Sequence, residues 1–391
     1  MSVYQAAKQR IAWTFDTFPR IYASFSGGKD SSVMTHMVMD EAIKRDQRVG
    51  LLCVDLEGQY KLTIDHVQEM YDLYADNIDG AHWVALPIAL RNAVSMYEPK
   101  WTAWEPGREK DWIRQPSSMQ IVDQSYYPFY QYDMEFEEFV PEFGHWYAQD
   151  KLTACFVGIR TAESLNRWRT IAGHGTKFEG RNWTNYIGQT LWNIYPIYDW
   201  KAQDIWTYHG LTNKPYNKIY DLMHRAGLSI HQARLCQPYG DDQRKGLWLF
   251  HVLEPETWSR IVARVNGANS GALYSRESGN IQGNIKVTKP ESHTWESFAM
   301  LLLGSMPESL SEHYKNKIAV FIHWHRTRSI EMDDDGPTEK GNANWKRICK
   351  ALLKNDYWMK SLSFTQQKSG AYWKYQKIMK KRRSTWGLFP S

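Results

Sequence analysis

A glycine- and serine-rich turn at residues 24–31 constrains the fold of this chain more than any other feature. The turn reads Ser-Phe-Ser-Gly-Gly-Lys-Asp-Ser and directly follows a short apolar run at residues 21–23. A strand that runs into two glycines and then into a helix lets backbone N–H groups approach a ligand closely. The N-terminus of the helix adds its partial positive charge at the same place. The sequence therefore predicts a phosphate-binding loop inside an α/β fold.

The side chains of this turn strengthen the prediction. Lys29 contributes a full positive charge, and two serines contribute hydroxyl donors. The predicted phosphate-binding residues are Ser24, Ser26, Gly27, Gly28, Lys29, Asp30 and Ser31. The alternative is a capped strand–helix turn in which the glycines serve geometry alone. The turn does not have the Gly-x4-Gly-Lys-Ser/Thr spacing of a Walker A loop.

Strand-like and helix-like segments alternate through the first part of the chain. The predicted strands are 20–25, 49–55, 82–87 and 151–158, and the predicted helices are 4–18, 30–46 and 61–76. This alternation predicts an α/β fold with a doubly wound, mainly parallel sheet. Ligands of such sheets lie at the carboxyl ends of the strands.

Two composition changes predict the domain organisation. Residues 97–148 are rich in Trp, Tyr, Phe, Pro and acidic residues, which indicates an insertion that either covers the active site or elaborates the packing. A flexible break near residues 267–271 separates a predicted nucleotide-binding domain, 1–265, from a mainly helical, basic C-terminal region, 270–391. The helices expected in that region are 294–304, 308–330, 343–355 and 369–383.

Two carboxylates follow the second predicted strand. Asp55 could accept a hydrogen bond from a ribose hydroxyl or an adenine amine, and Glu57 lies two residues later. Asp30 and Glu57 are the candidate ligands for Mg²⁺ on the phosphates. The alternative is that one of these acids caps a helix N-terminus.

A second anion-binding segment is predicted after the fourth strand. Gly158 ends the strand, and Arg160 follows it near the carboxyl edge of the sheet. Arg160 and Arg167 lie two helical turns apart, so both guanidinium groups can face one anion. Glu163 and Ser164 lie between them and are further candidate nucleotide contacts. The alternative is a surface ion pair between these arginines and Glu163.

Cysteine usage and charge indicate the environment of the protein. The four cysteines are widely spaced, without a Cys-x-x-Cys motif, so we expect neither an iron–sulfur cluster nor a structural zinc. Sparse cysteine, no signal peptide and no long apolar stretch predict a cytoplasmic protein that does not contact a membrane. The net charge is +5, and residues 341–391 carry many Lys and Arg side chains interleaved with aromatics. Such a segment attracts DNA or RNA, or an acidic protein partner.

The turn at residues 24–31 resembles the PP-loop of the ATP-pyrophosphatase superfamily, whose signature is Ser-x-Ser-Gly-Gly-Lys-Asp-Ser. Two later patterns resemble the phosphoadenylyl-sulfate (PAPS) reductase family: Gly-x-Arg…Glu-Ser…Arg at 158–167 and Pro-x-x-Asp-Trp…Asp-x-Trp at 196–206. The resemblance covers residues 10–245 and implies an adenine nucleotide alpha hydrolase-like fold. The segment 234–248 is similar to the YbdN-like branch, which includes the immunoglobulin-binding regulator A proteins. Members of this branch are commonly paired with a ParB-like partner protein.

The resemblance implies an adenine-nucleotide protein. The leading hypothesis is cleavage of ATP between the α- and β-phosphates, which adenylylates an acceptor, with Mg²⁺ on the phosphates and Lys29, Arg160 and Arg167 as catalytic residues. One alternative is a regulator that senses ATP or a sulfonucleotide and acts with a ParB-like partner or nucleic acid. Another is PAPS reduction, for which the C-terminal Glu-Cys-Gly-x-His motif of the family is missing. That activity would need Cys236 or the thiol of a partner.

Overall fold

The computed structural model describes residues 2–95, 97–173, 175–235, 239–240, 247–269, 287–336 and 343–362. The chain divides into two compact units. The first contains Met1–Leu90 and Thr102–Leu235, and the second contains Arg91–Trp101 and the described residues within Cys236–Ile378.

A six-stranded sheet forms the centre of the first unit. Its strands are β1 (Arg20–Ser24), β2 (Val49–Val54), β3 (Ile78–Val84), β6 (Thr153–Val157), β7 (Thr184–Gly188) and β8 (Leu191–Ile194); a separate two-stranded sheet pairs β4 (Ile88–Arg91) with β5 (Lys100–Ala103). The order in the large sheet is β3-β2-β1-β6-β8-β7. Every neighbouring pair is parallel except β7 and β8, which are antiparallel. The predicted mainly parallel α/β sheet is confirmed.

The helices of the first unit flank this sheet. They are α1 (Val3–Thr17), α2 (Lys29–Lys44), α3 (Lys61–Leu73), α4 (Phe136–Ala148), α5 (Leu165–Ala172), α6 (Ala202–Thr212) and α7 (Ile219–Arg225). The central strands are almost continuous apolar runs because helices cover them, and Ala23, Leu51 and Phe156 are fully buried. The parallel register of β1 and β2 places their carboxyl ends side by side, so the turn after β1 lies beside the residues that follow β2.

The sequence did not predict strands β7 and β8. Both are short, and their burial does not alternate in the clear pattern of a two-faced strand. They form because β8 extends the parallel sheet beside β6, with Ala154 opposite Trp192, and β7 then closes the edge. Strand β3 also begins at Ile78, four residues before the predicted start.

The predicted insertion at residues 97–148 contains β5, a long irregular segment and helix α4. Its second half packs as an aromatic cluster: the Tyr127 ring lies 5.7 Å from Phe139, 5.9 Å from Phe143 and 5.0 Å from Trp146 between centroids. Tyr127, Phe139 and Phe143 are buried. This half of the insertion therefore elaborates the packing of the first unit.

The described part of the second unit is helical outside Arg91–Trp101. Its helices are α8 (Leu247–Leu253), α9 (Pro255–Arg264), α10 (Trp295–Gly304), α11 (Glu308–Arg326) and α12 (Trp345–Leu353). Leu310, Phe321 and Ile348 belong to the buried apolar core that joins the last three helices. The predicted helix at 369–383 lies outside the described residues. Among the described helices, we find none with the length and apolar character needed to cross a bilayer.

Candidate active site at the N-terminus of helix α2

The turn after β1 has the geometry of an anion-binding loop. Gly27 has φ = +69°, and a Cβ there would lie 2.8 Å from Thr63 Cγ2, so both conformation and space require glycine. Gly28 is the N-cap of α2. Within the described part of the chain, the N–H groups of Gly27 and Gly28 find no acceptor. These donors and the positive end of the helix point to one place.

Hydroxyl groups hold the loop in this shape. The Ser26 and Ser31 Oγ atoms lie 3.0 Å apart, and Ser31 Oγ donates to Gly28 O at 3.0 Å. Ser32 Oγ donates to the same carbonyl at 2.9 Å. Ser24, the last residue of β1, is held between the neighbouring strands in the sheet. These bonds fix the shape of the loop, which lowers the conformational cost of binding a ligand.

Lys29 is buried at the start of the helix, with 4% of its surface exposed. Its Nζ donates to Ala233 O at 3.0 Å and lies 3.5 Å from Asp30 Oδ2. Burial lowers the pKa of Lys29 by desolvating the ammonium group, and the charge of Asp30 opposes that shift. The amine is fixed close to the loop by these contacts.

Arg160 meets the same helix turn from the neighbouring strand β6. Its Nε donates to Asp30 Oδ1 at 2.5 Å, and its Nη2 donates to Asp30 Oδ2 at 3.4 Å. The approach depends on Gly158, because a Cβ there would lie 2.8 Å from Ser31 Cα and 3.0 Å from Ser31 N. The structure thus brings Lys29, Asp30 and Arg160 together, although Arg160 is far from the other two in sequence.

Arg167 lies outside this buried group. Half of its side chain is exposed, and its Nε is 3.9 Å from Glu163 Oε2, which is the surface pair foreseen as the alternative. Ser164 caps α5, with its Oγ accepting from the N–H of Arg167 at 3.2 Å. The Glu163 carbonyl accepts from Arg234 Nη2 at 2.8 Å. The catalytic role of Arg167 stays a prediction.

Asp55 and Glu57 contact the insertion instead of the loop. Asp55 Oδ2 accepts from Arg114 and, at 2.5 Å, from Gln120 Nε2. The two Glu57 carboxylate oxygens accept the N–H groups of Trp104, at 2.6 Å, and Ile113, at 3.0 Å. The nucleotide contacts predicted for both acids stay predictions.

The carboxylates of Asp30 and Glu57 do not form a preorganised magnesium site, because both are engaged by other partners. Asp30 is paired with Arg160 and Lys29, and Glu57 accepts two backbone N–H groups. Among the described residues, no group of three or more His, Cys, Asp or Glu side chains could hold a metal ion. Magnesium binding remains a prediction.

Three polar residues from a later part of the chain support the loop. Tyr220 Oη accepts the N–H of Lys29 at 3.1 Å, and Asn217 Nδ2 donates to Gly27 O at 2.8 Å. His209 Nε2 donates to Lys29 O at 3.4 Å. These isolated polar residues come from α6, α7 and the turn between them and form no local motif, so only the folded chain shows that they support the loop.

Three buried histidines, one on helix α2 and two on helices α3 and α6, make the stability of the fold depend on pH. Burial lowers the pKa of His36 to about 3 and those of His66 and His209 to about 4, because the interior disfavours the charged imidazolium. The ordinary value of about 6.5 applies in the unfolded chain, which therefore binds more protons than the folded chain between about pH 6.5 and 4. The free energy of unfolding must fall as the pH falls through that window.

We expect a loss that approaches about 1.4 kcal/mol per pH unit for each of these histidines and is nearly fully developed between about pH 5.5 and 5. Urea unfolding at a series of pH values between 7.5 and 5 measures this slope. His66→Gln should reduce the dependence of the free energy of unfolding on pH by the contribution of one histidine. His323→Gln, at an exposed position of α11, should leave this dependence unchanged. A free energy of unfolding that stays level from pH 6.5 to 5 contradicts the prediction.

The described cysteines do not offer a reactive thiolate. Cys53, Cys155 and Cys349 are buried. Burial raises the pKa of the Cys53 thiol well above its ordinary value and raises those of Cys155 and Cys349 to about 12. Cys236 lies outside the described residues.

Most of the basic segment after residue 354 also lies outside the described residues. The predicted contact of this segment with nucleic acid therefore stays a prediction.

Comparison with known proteins gives two family matches that together span most of the chain. A model described as Phosphoadenosine phosphosulfate reductase domain matches residues 20–226, and one described as Domain of unknown function (DUF3440) matches residues 227–335. Uncharacterized protein YbdN of Escherichia coli strain K12 is 42% identical over 397 residues, which cover 99% of this chain and 97% of YbdN.

Two more distant similarities cover only parts of the chain. Adenosine 5′-phosphosulfate reductase 2 of Bacillus subtilis strain 168 is 38% identical over 58 residues, 15% of this chain and 24% of that protein. Among solved structures, phosphoadenylyl-sulfate reductase from Candida auris in a phosphate complex aligns with a TM-score of 0.33 at 17% identity, over 56% of this chain and 85% of that one.

Proposed function

This chain belongs to the phosphoadenosine phosphosulfate reductase domain family. We propose that it binds an adenine nucleotide on the loop at residues 26–31. We further propose that it cleaves ATP between the α- and β-phosphates. An acceptor atom forms a bond to the α-phosphorus while the bond to the α–β bridging oxygen breaks. The products are an adenylylated acceptor and pyrophosphate, and the acceptor proton passes to solvent.

The convergence of Lys29 and Arg160 on the first turn of α2 is the observation that carries this proposal. The N–H groups of Gly27 and Gly28 and the helix N-terminus suit the pyrophosphate oxygens. Negative charge grows on the leaving oxygen as the bond breaks, and two fixed cations beside it stabilise the transition state more than the ground state. The Asp30 carboxylate holds the Arg160 guanidinium and the Lys29 ammonium in place.

Sulfonucleotide reduction has less support from the described residues. A reductase of that kind needs a thiolate that attacks sulfur. The three described thiols are buried, and their pKa values are raised. The reductase alternative therefore depends on Cys236 or on the thiol of a partner.

The test is the release of pyrophosphate from ATP, measured with and without added total nucleic acid, together with the dissociation constant of ATP. Lys29→Ala should lower the release by about 100-fold or more, because it removes one charged donor from the developing oxyanion. Lys44→Ala is the matched control, since Lys44 lies at the other end of α2 with 72% of its side chain exposed.

The outcomes separate the alternatives. Release that persists in the Lys29→Ala protein contradicts the proposed site. Tight ATP binding by the wild-type protein without release of pyrophosphate supports the nucleotide-sensing alternative, in which a ParB-like partner or nucleic acid receives the signal.

A further inference from the structure

Part of the insertion is attached at the carboxyl ends of the neighbouring strands β2 and β3. Residues 104–121, here called the docked segment, end in a short pairing with β3, where Ile121 N donates to Trp83 O at 2.7 Å and Ala85 N donates to Ile121 O at 2.9 Å. The same segment covers the residues that follow β2. Strand β1, which leads into the loop at 26–31, is the next strand in the sheet. The docked segment therefore lies at the edge where ligands of such sheets bind.

Two fully buried carboxylates hold the docked segment there. Glu57 accepts two backbone N–H groups of the segment, and Asp55 accepts side-chain donors from Arg114 and Gln120. The Asp55 carbonyl also accepts from Trp104 Nε1 at 2.8 Å. The side chain of Asp55 is 0% exposed.

This arrangement is costly for a purely structural attachment. Glu57 has φ = +60° and Trp104 has φ = +54°, the left-handed region that disfavours residues with a Cβ. A buried aspartate–arginine pair also loses its hydration. An apolar contact of the same size often stabilises a fold at least as much as such an ion pair. Backbone strain and buried charge of this kind cluster at ligand sites.

Arg114 is the group that this arrangement positions. Its Nη2 donates to Asp55 Oδ2, and its guanidinium carbon lies 4.9 Å from the centroid of the Trp104 ring. The side chain nevertheless keeps 18% of its surface exposed. A guanidinium fixed on two sides has already lost the rotamer freedom that binding would cost, and the exposed part of the side chain can be reached by a ligand.

We propose that Arg114 binds an anionic oxygen group, a phosphate or a carboxylate, of a molecule held at the carboxyl edge of β2 and β3. Asp55 and Trp104 are its positioning residues. The inference rests on the proposed function, because it assumes that the loop at 26–31 holds a nucleotide beside this edge. The anion belongs either to the nucleotide itself or to the acceptor that receives the adenylyl group.

Calorimetric titration of the full chain tests the proposal with three probes: ATP, adenosine, and inorganic phosphate added to ATP-saturated protein. If the anion belongs to the nucleotide, Arg114→Met weakens ATP binding by about tenfold or more and leaves adenosine binding unchanged. If it belongs to the acceptor, ATP binding is kept, and the binding of inorganic phosphate is lost. Arg108→Ala is the control, because Arg108 lies in the same segment in exposed ion pairs with Glu105 and Asp111.

Equal binding of ATP and of inorganic phosphate by the Arg114→Met and Arg108→Ala proteins would overturn the proposal. Arg114→Met leaves Asp55 buried without its cation, so the Asp55→Asn/Arg114→Met double variant provides a neutral protein in which the same binding losses are expected. Lys29→Ala separates the two hypotheses. If Lys29→Ala abolishes ATP binding while Arg114→Met changes the binding of neither ATP nor inorganic phosphate, only the role proposed for Arg114 is contradicted. If neither variant changes the binding of ATP or of inorganic phosphate, the proposed nucleotide site is contradicted as well.

Discussion

Replacing Gly158 with alanine is expected to weaken nucleotide binding by about tenfold or more and to destabilise the first unit by about 1–3 kcal/mol. The added Cβ would lie 2.8 Å from Ser31 Cα, 3.0 Å from Ser31 N and 3.1 Å from Asp30 O. These are backbone atoms of the first turn of α2, which cannot swing aside as the end of a side chain can. The turn must move away from β6, and the loop and Arg160 then lose their alignment.

The control for this prediction is Gly210→Ala. Gly210 lies in α6, and a Cβ there would have nothing within 4 Å. Alanine has the higher helix propensity, so the free energy of unfolding should rise by up to about 1 kcal/mol. Urea unfolding and ATP titration of both variants measure the effects. Wild-type ATP affinity in the Gly158→Ala protein would show that the close contact between β6 and α2 does not shape the site.

Replacing Arg160 with methionine is expected to give the second large effect. Only 5% of Arg160 is exposed, and its guanidinium makes two hydrogen bonds to Asp30. Removing one partner of a buried ion pair costs up to about 3–5 kcal/mol, and Lys29, which stays 3.5 Å from Asp30, is expected to offset part of that cost. Pyrophosphate release should fall by about 100-fold as well, since one transition-state cation is lost.

A double-mutant cycle with Asp30→Asn separates these two effects. The Asp30→Asn/Arg160→Met protein should regain part of the lost stability, because the Asp30 charge is removed together with its Arg160 partner and Lys29 keeps its bond to the Ala233 carbonyl. Pyrophosphate release should nevertheless stay low. Arg167→Met is the matched comparison for stability. Its half-exposed pair with Glu163 should contribute less than about 1 kcal/mol to the free energy of unfolding. Full recovery of pyrophosphate release in the double variant would contradict a direct role for Arg160.

Local patterns in the sequence were sufficient for the elements that position the loop. The apolar runs that became β1, β2 and β6 are long enough to be buried on both faces, and the predicted strands there match the observed ones within two residues. The glycine pair and the helix that follows it are also local features, because conformation at φ > 0 and helix N-terminal donors depend on adjacent residues. Helices α10, α11 and α12 were likewise predicted at 294–304, 308–330 and 343–355, although α11 ends earlier, at Arg326.

Structural features without a local pattern in the sequence were not predicted. Strands β7 and β8 exist because the edge of the sheet beside β6 offers hydrogen-bond partners, which no periodicity within either strand reveals. The hydrogen bonds of Tyr220 and Asn217 to the loop likewise join residues about 190 positions apart, so no local pattern specifies them. The tertiary structure also decided that Asp55 faces Arg114 of the insertion.

Patterns among neighbouring residues were enough to predict a mainly parallel α/β sheet and a glycine-rich turn at residues 24–31, because burial periodicity and glycine conformation are local properties. Which charges surround that turn depends on the packing of distant segments. Lys29, Asp30 and Arg160 form one buried group, while Arg167 stays at the surface and Asp55 and Glu57 hold the insertion. Buried charges need partners, and which partners they meet depends on strand order and close approach, both of which arise only when distant segments pack together.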